Sequence, residues 1–419
     1  MTAALLRLNQ RTFSSFKYRN YRLFFAGQAI SQTGSWMQRI ALGWFVLQLT
    51  HSAFAVGVMA LAQFLPFTLF GLFGGVLVDR LDARRTVIGT QVAQLATAVA
   101  LAAIALAGIA QPWMLYLIAF LNGLVLVLDV PSRQQLTYRM VGRDELPNAI
   151  GLNSSLFNAS RIFGPATAGM VYGFTGAGVC FLVNAVSFFA VLVGLLAMRT
   201  SDFFEITAFA RPTILRGTRE GLAYVRRQPR MMIVIMLTLI VSTFSFNFNV
   251  TLPVLAYSTL HVQAQVYGIL SALFGAGALV GALAAASLGR ASAKVMLAGS
   301  VVFAGAELGL APVHTPILAG ALLFLTGAGF TAWSANSNAT MQLAAPDHLR
   351  GRIIGIYFYA FNGTGPAAGL LAGWLCARGG TELAFIVAGC AGLVGTAVAA
   401  VRMNRARRMS SSVLPARAA

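Results

Sequence analysis

Apolar residues dominate this chain in runs of roughly 20 positions, the length needed to cross a bilayer as a helix. Polar or charged breaks between them are mostly a few residues long. The pattern predicts twelve spans: 21–49, 54–78, 86–110, 113–140, 148–173 and 176–198, then 231–258, 264–289, 294–311, 316–345, 351–377 and 381–402. The one long break, 199–230, divides them into two sets of six. Four segments follow: a six-helix bundle over 1–198, a linker over 199–230, a second bundle over 231–402, and a basic tail over 403–419 expected to be disordered. Within the linker, Ile214, Leu222 and Val225 share one helical face, while Arg216, Arg219, Glu220, Arg226 and Arg227 lie mostly elsewhere. A short amphipathic helix on the inner membrane surface fits that pattern.

Polar positions inside the spans are patterned too. Gln28, Gln32, Ser35 and Arg39 share one face of span 1. Thr238, Ser242, Ser245 and Asn249 repeat that spacing in span 7. Two such stripes in corresponding helices read as the lining of one water-filled cavity; the competing reading is helix–helix hydrogen bonding. The sets of six also match elsewhere. Thr50-His51 pairs with Leu260-His261, Arg143-Asp144-Glu145-Leu146 with Pro346-Asp347-His348-Leu349, and Phe163-Gly164-Pro165-Ala166 with Thr364-Gly365-Pro366-Ala367. Three matches in order at nearly constant separation argue for duplication of a six-helix unit.

Composition agrees: 58% of residues are hydrophobic and 10% charged, with mean hydropathy +0.76. A net charge of +19 could suggest nucleic acid, but its distribution excludes that need. All Lys and Arg except Arg39, Arg161 and Arg378 fall on one side of the membrane by this segmentation. That positive-inside bias puts both termini in the cytoplasm. Cys180, Cys376 and Cys390 sit in apolar runs, with no disulfide or metal spacing. The first apolar run is too long and too rich in polar residues for a cleaved signal.

The stretch Gly71–Arg85, GLFGGVLVDRLDARR, ends span 2 in a short loop with two acids and three arginines. Gly71 and Gly75 share a face that allows close helix approach, and Asp79 continues it by one turn. This stretch resembles the loop between helices 2 and 3 of major facilitator transporters, G-x-x-x-G-x-x-x-D-R-x-G-R-R, with Asp82 in place of a glycine. Ser35-Trp36-Met37-Gln38-Arg39 in span 1 and Leu146-Pro147-Asn148-Ala149-Ile150-Gly151 before span 5 also resemble that superfamily. They are similar to its bacterial branch containing the enterobactin exporter and macrolide efflux proteins. Gly164, Pro165 and Gly169 resemble the antiporter pattern of helix 5, with Ser160 and Ala168 replacing two of its glycines. In helix 4, Ala119 stands where many drug–proton antiporters carry arginine.

The resemblance implies an all-α membrane protein: twelve transmembrane helices in two six-helix pseudo-repeats, in the bacterial inner membrane, acting as a monomer. It implies alternating access, with Asp79, Arg80, Arg84 and Arg85 latching one access state against the inner ends of helices 4 and 11. Arg139 and Arg352 are the expected partners there.

No G-x-S-x-G, H-E-x-x-H, C-x-x-C or Walker sequence is present, so no enzyme, cofactor, metal site or ATP-driven pump is expected. Four charges lie within spans, where each costs about 2.5–3.5 kcal/mol unless it meets water or a partner. Arg39 lies about 25 Å along its helix from Arg22, at ~1.5 Å per residue, and Arg161 near mid-membrane. These two, with Gln32, Ser35, Ser245 and Asn249, are the expected substrate-binding residues. Asp129 is the leading proton carrier, although Arg133 four residues on offers a local ion pair. Glu307 is the second candidate; helix 9 is typically peripheral in the resembling fold, which favours a structural role. The expected function is proton-coupled export of an amphiphilic small molecule such as a drug or siderophore. A proton-coupled importer, or a membrane sensor or assembly protein of the same fold, are the alternatives.

Overall fold

A computed structural model describes residues 12–205, 214–287, 291–346 and 349–412, without the side chains of 75–76, 214–217 and 406–412. Asp347, His348 and 413–419 therefore lie outside it. Among the described residues, 9 helices are long and apolar enough to cross a membrane. Two of them change direction at a glycine. Pro112–Thr175 breaks at Gly142, with φ 71°, and Gly365–Ser412 breaks at Gly379 and Gly380, the latter with φ 65°. Both turns need the left-handed backbone that glycine enters without a Cβ clash. Arg19–Thr50 is a further long helix, of 32 residues, whose apolar run is interrupted by Gln28, Gln32, Ser35, Gln38 and Arg39.

Divided at those glycines, the described residues give twelve membrane-length segments. They are α1 (Arg19–Thr50), α2 (Ala53–Val78), α3 (Ala83–Leu106), α4 (112–141), α5 (143–175), α6 (Ala177–Leu196), α7 (Pro229–Thr259), α8 (Ala264–Ser287), α9 (Ala293–Leu310), α10 (Pro316–Ala344), α11 (350–378) and α12 (381–412). Local chemistry sets several ends. Pro112, Pro229 and Pro316 occupy first turns, where the missing N–H costs nothing. Asp82 and Ser292 cap α3 and α9 by accepting from the Arg85 and Val295 N–H groups. The helix of α12 runs on to Ser412, ten residues into the tail expected to be unstructured. No proline or glycine lies between 402 and 412 to stop it.

The internal repeat is visible in the backbone. His51 and His261 are the two non-glycine residues with positive φ among the described residues, at 49° and 52°. They are the matched residues after α1 and α7. Helices α1–α6 pack mainly among themselves, as do α7–α12, and two seams join the sets: α2 against α11 and α5 against α8. Glycines bring the backbones together there. A Cβ on Gly57 would meet Gly369 O at 2.7 Å, and one on Gly268 would meet Pro165 O at 2.6 Å and Gly169 Cα at 2.7 Å.

The end of the bundle away from the chain termini is closed by a buried cluster. Trp44 stacks on Tyr267 at 5.0 Å and meets Tyr257 edge-on at 5.4 Å. The Tyr257 hydroxyl lies 3.1 Å from His51 Nδ1, and Tyr172 donates to Gln48 Oε1 at 2.5 Å. At the terminal end a Cβ on Gly151 of α5, or on Gly351 or Gly355 of α11, would meet nothing within 4 Å.

That end carries a polar collar. Lys17 pairs with Glu145 at 2.5 Å, and Ser14 donates to the same carboxylate. Asn20 and Arg199 exchange hydrogen bonds at 2.8 and 3.0 Å. The linker helix Ile214–Arg227 rests its Gly221 against Ile356 and Arg352 of α11 and buries Val225. The described part of this helix is thus docked on protein rather than only facing a lipid surface.

Candidate substrate cavity

Six helices converge on a central space. From α1 come Trp36 and Arg39, whose guanidinium lies 4.6 Å from the Trp36 ring centroid. Gly164 of α5 permits this, because a Cβ there would meet Trp36 Cβ at 2.4 Å. From α5, Arg161 sits 5.9 Å from the same ring, 4.7 Å from Phe274 of α8 and 5.5 Å from Phe330 of α10. Phe330 stacks on Phe246 of α7 at 4.3 Å with an interplanar angle of 6°, and Phe246 meets Phe361 of α11 at 5.4 Å. Neither arginine has an acidic partner among the described residues; aromatic faces hold both, by cation–π attraction. Beyond Phe246 lies a small cavity lined by Phe64, Phe246, Asn247, Asn249, Phe361 and Asn362.

The expected residues divide accordingly. Arg39 and Arg161 share the central space, with Trp36 between them, and Asn249 lines its extension. Gln32 and Ser35 are half-buried on the same α1 face. Gln28, at the foot of the stripe, accepts from Arg133 of α4. Ser245 points elsewhere: it is buried and donates to Ala388 O of α12 at 2.9 Å. The reason is local. A wide helical turn over Val241–Ser245, closed by Phe246 N–H on Val241 O at 2.9 Å, rotates Ser245 off the face that regular spacing assigns it.

Asp129 forms the local ion pair, 2.7 Å from Arg133. It also accepts from Thr90 at 2.6 Å and Gln91 at 3.1 Å of α3. Glu307 is buried on α9 beside Ser245, and its Oε2 has no hydrogen-bond partner.

The loop after α2 is arranged differently from expectation. A Cβ on Gly71 would touch only Phe67 of its own helix, whereas one on Gly74 would meet Val127 O of α4 at 2.5 Å. Gly74, not Gly71, is therefore a close-approach position; nothing is described of Gly75 beyond its helical backbone. Asp79, Arg80 and Arg85 are exposed. Arg84 donates to the Leu195 and Leu196 carbonyls at 2.9 and 3.2 Å, capping α6. Arg139 pairs with Asp82 at 3.0 Å. Burial alone would raise the Asp82 carboxyl, but the Arg85 N–H and the Arg139 guanidinium outweigh it and hold Asp82 below the usual carboxylate range. Arg352 pairs with Glu220 of the linker helix, not with the α2–α3 loop. Asp82, the residue that departs from the family pattern, joins this loop to α4.

Residues 10–417 match the profile of the family described as transmembrane secretion effectors. This chain belongs to the major facilitator superfamily. Similar transporters of this superfamily include macrolide efflux protein A of Streptococcus pyogenes, 23% identical over 68% of this chain and 72% of that protein. The staphyloferrin A transporter of Staphylococcus aureus is 22% identical over 80% and 84%. The multidrug efflux pump Tap of Mycobacterium bovis is 27% identical over 89% and 92%. Among solved facilitators, the nucleoside transporter NupG is alike in fold, with TM-score 0.72 over 92% of this chain and 98% of that one at 12% identity. The chain is thus a multi-pass membrane transporter rather than an enzyme.

Sequence reasoning did not name Phe274 or Phe330, and gave Asp82 no role. The two phenylalanines carry no spacing signal among 30 in the chain. Asp82 was visible as the departure from the family pattern.

Proposed function

We propose that the protein exports an amphiphilic small molecule with an anionic or strongly polar group, such as a drug, siderophore or related metabolite. Transport runs by alternating access and is driven by inward proton movement. The observation that carries this reading is the pair Arg39 and Arg161, two cations without an acidic partner set among Trp36, Phe274 and Phe330. A guanidinium offers a planar fork to a carboxylate or catecholate, and the rings offer an apolar face. The printed names of similar proteins, macrolide efflux protein, staphyloferrin A transporter and multidrug efflux pump, support the same substrate class. The aromatic contacts that join the two sets at the far end support the access mechanism.

The chain sits in the bacterial inner membrane as a monomer, with the terminal end cytoplasmic. A reporter fused after Arg199 scores cytoplasmic, and one at His51 or His314 extracytoplasmic. The deciding experiment is an accumulation profile of drugs and metabolites in cells expressing the protein or its Arg39→Ala variant, with and without an uncoupler. Export gives lower accumulation that the uncoupler abolishes. Higher accumulation in expressing cells indicates an importer and overturns the direction; no change for any compound overturns transport.

A further inference from the structure

Three helices meet around Glu307. The residue is 1% exposed. Gly389 and Gly392 of α12 press against α9 on either side: their Cβ positions would meet Ala304 O and the Ala304 side chain at 2.7 Å. Ser245 of α7 completes the junction, its Oγ 3.2 Å from the Cβ position of Gly392. No cation lies near it among the described residues. Helix α10, which also packs on α9, carries no ionisable side chain. On α7 the ionisable residues are Arg230 and Tyr257, both at its ends. On α12 they are Glu382 and the arginines from Arg402 onward, near its ends, and Cys390, which is exposed. On α9 itself Lys294 opens the helix, and His314 beyond it is exposed.

Hydrogen-bond accounting fixes the protonation of this junction. A serine hydroxyl has one proton. Ser245 spends it on Ala388 O at 2.9 Å, so towards Glu307 its oxygen can only accept. The carboxyl beside it, whose Oε2 has no partner, meets that oxygen as a donor when it carries a proton. An ionised carboxylate here would have neither a donor nor a counter-ion among the described residues, which disfavours the charged form. Asp129 is the opposite case, since an arginine and two donors surround it.

Ser245 is also the last residue of the wide turn in α7. The next residue, Phe246, leaves helical geometry with ψ 62°; Asn247 is likewise non-helical, and the helix restarts at Phe248. The Phe246 ring is the one stacked on Phe330, against which Arg161 rests. One hydroxyl therefore connects the carboxyl to the wall of the cavity.

We infer that Glu307 is the proton-binding site of the transporter and that its proton sets the α7 hinge at Ser245–Asn247. Loss of the proton to water leaves a carboxylate that takes the Ser245 hydroxyl as donor. Ser245 then releases Ala388 O, α7 separates from α12 at that point, and Phe246 shifts against Phe330. No other bond changes. The inference rests on the proton-coupled reading above and moves the proton from Asp129 to Glu307.

The test uses the full-length protein in lipid vesicles with pH as the only probe. Infrared difference spectra across a pH titration report the C=O band of a protonated carboxyl. Spin labels at Gly151→Cys and Gly355→Cys, with Cys390→Ser, report the opening of the terminal end. The expected result is a band that disappears as pH rises, is absent from Glu307→Gln and persists in Asp129→Asn. The label distance should change with pH in wild type and Asp129→Asn and lose that response in Glu307→Gln. Ser245→Ala, which keeps the carboxyl, should keep the band and lose the response. A band that survives Glu307→Gln overturns the site, and a normal pH response in Ser245→Ala overturns the hinge. If the accumulation profile finds transport insensitive to uncouplers while band and response behave as stated, the coupling reading fails and the site stands.

Discussion

Gly268→Ala should open the closed end of the transporter. Gly268 on α8 faces backbone alone: its Cβ position lies 2.6 Å from Pro165 O, 2.7 Å from Gly169 Cα and 2.9 Å from Gly169 N. Backbone atoms cannot rotate aside as a long side chain can, so the added methyl must push α5 and α8 apart. Overpacking of this kind costs about 1–3 kcal/mol. The cost falls on the arrangement in which the two helices touch here and is relieved when they separate. The ratio of closed to open molecules at the far end should fall about 5- to 150-fold. Pulsed distance measurement reads this ratio directly, with labels at Gln111→Cys and His314→Cys, both exposed, in a Cys390→Ser background. Longer far-end distances should gain population. Gly151→Ala is the control: its Cβ meets nothing within 4 Å, and the helix gains about 1 kcal/mol of propensity. An unchanged distance distribution in Gly268→Ala would show that the α5–α8 seam does not hold the closed state, and would refute the reasoning.

Three further outcomes are expected. Arg161→Lys keeps the charge and loses the planar contact with Phe274, so affinity for a transported anion found by the accumulation profile should drop about 2- to 30-fold, from the ~0.5–2 kcal/mol of a cation–π contact; Arg161→Ala should drop further, and equal binding by all three proteins would remove the site. Asp129→Asn removes the counter-charge of Arg133 and keeps one acceptor oxygen, and thermal unfolding should report a loss of about 2–3 kcal/mol, below the full cost of a broken buried pair because Arg133 is 21% exposed. The Lys17–Glu145 clamp should depend on pH at both ends. Hydrogen bonds from Lys17 and Ser14 hold Glu145 below its ordinary range, so its share is present above that range and lost as pH falls through the lowered value. The bond to Glu145 raises Lys17, so that share is present below the ordinary lysine range and lost as pH rises through the raised value. Hydrogen exchange at residues 14–18 should be slowest between those limits, and Glu145→Gln should erase the protection.

The fold was readable from the chain because a bilayer imposes one rule on every span. Backbone polar groups must bond within the segment, so a run of apolar residues can only be a helix. Repetition was readable because duplication left His51 and His261 in matching places, and both adopt the same left-handed turn. The arginines of the cavity were readable for a related reason. A charge within an apolar run is expensive enough to announce a site wherever it occurs.

What the sequence could not decide is which neighbour each polar residue meets, since spacing along one helix says nothing about the helix opposite. Asp82 stands where the resembling pattern has glycine, and only the packing of α4 brings it to Arg139. Gly71 and Gly74 sit on adjacent faces of α2, and only the packing of α4 makes Gly74 the close contact. Regular helical periodicity placed Ser245 with Asn249 in the cavity. One wide turn in α7 sends it instead to Ala388 and Glu307. Asp129 and Glu307 are both lone acids in apolar runs. Tertiary contacts separate them, by giving the first an arginine and two donors and leaving the second an oxygen with no partner.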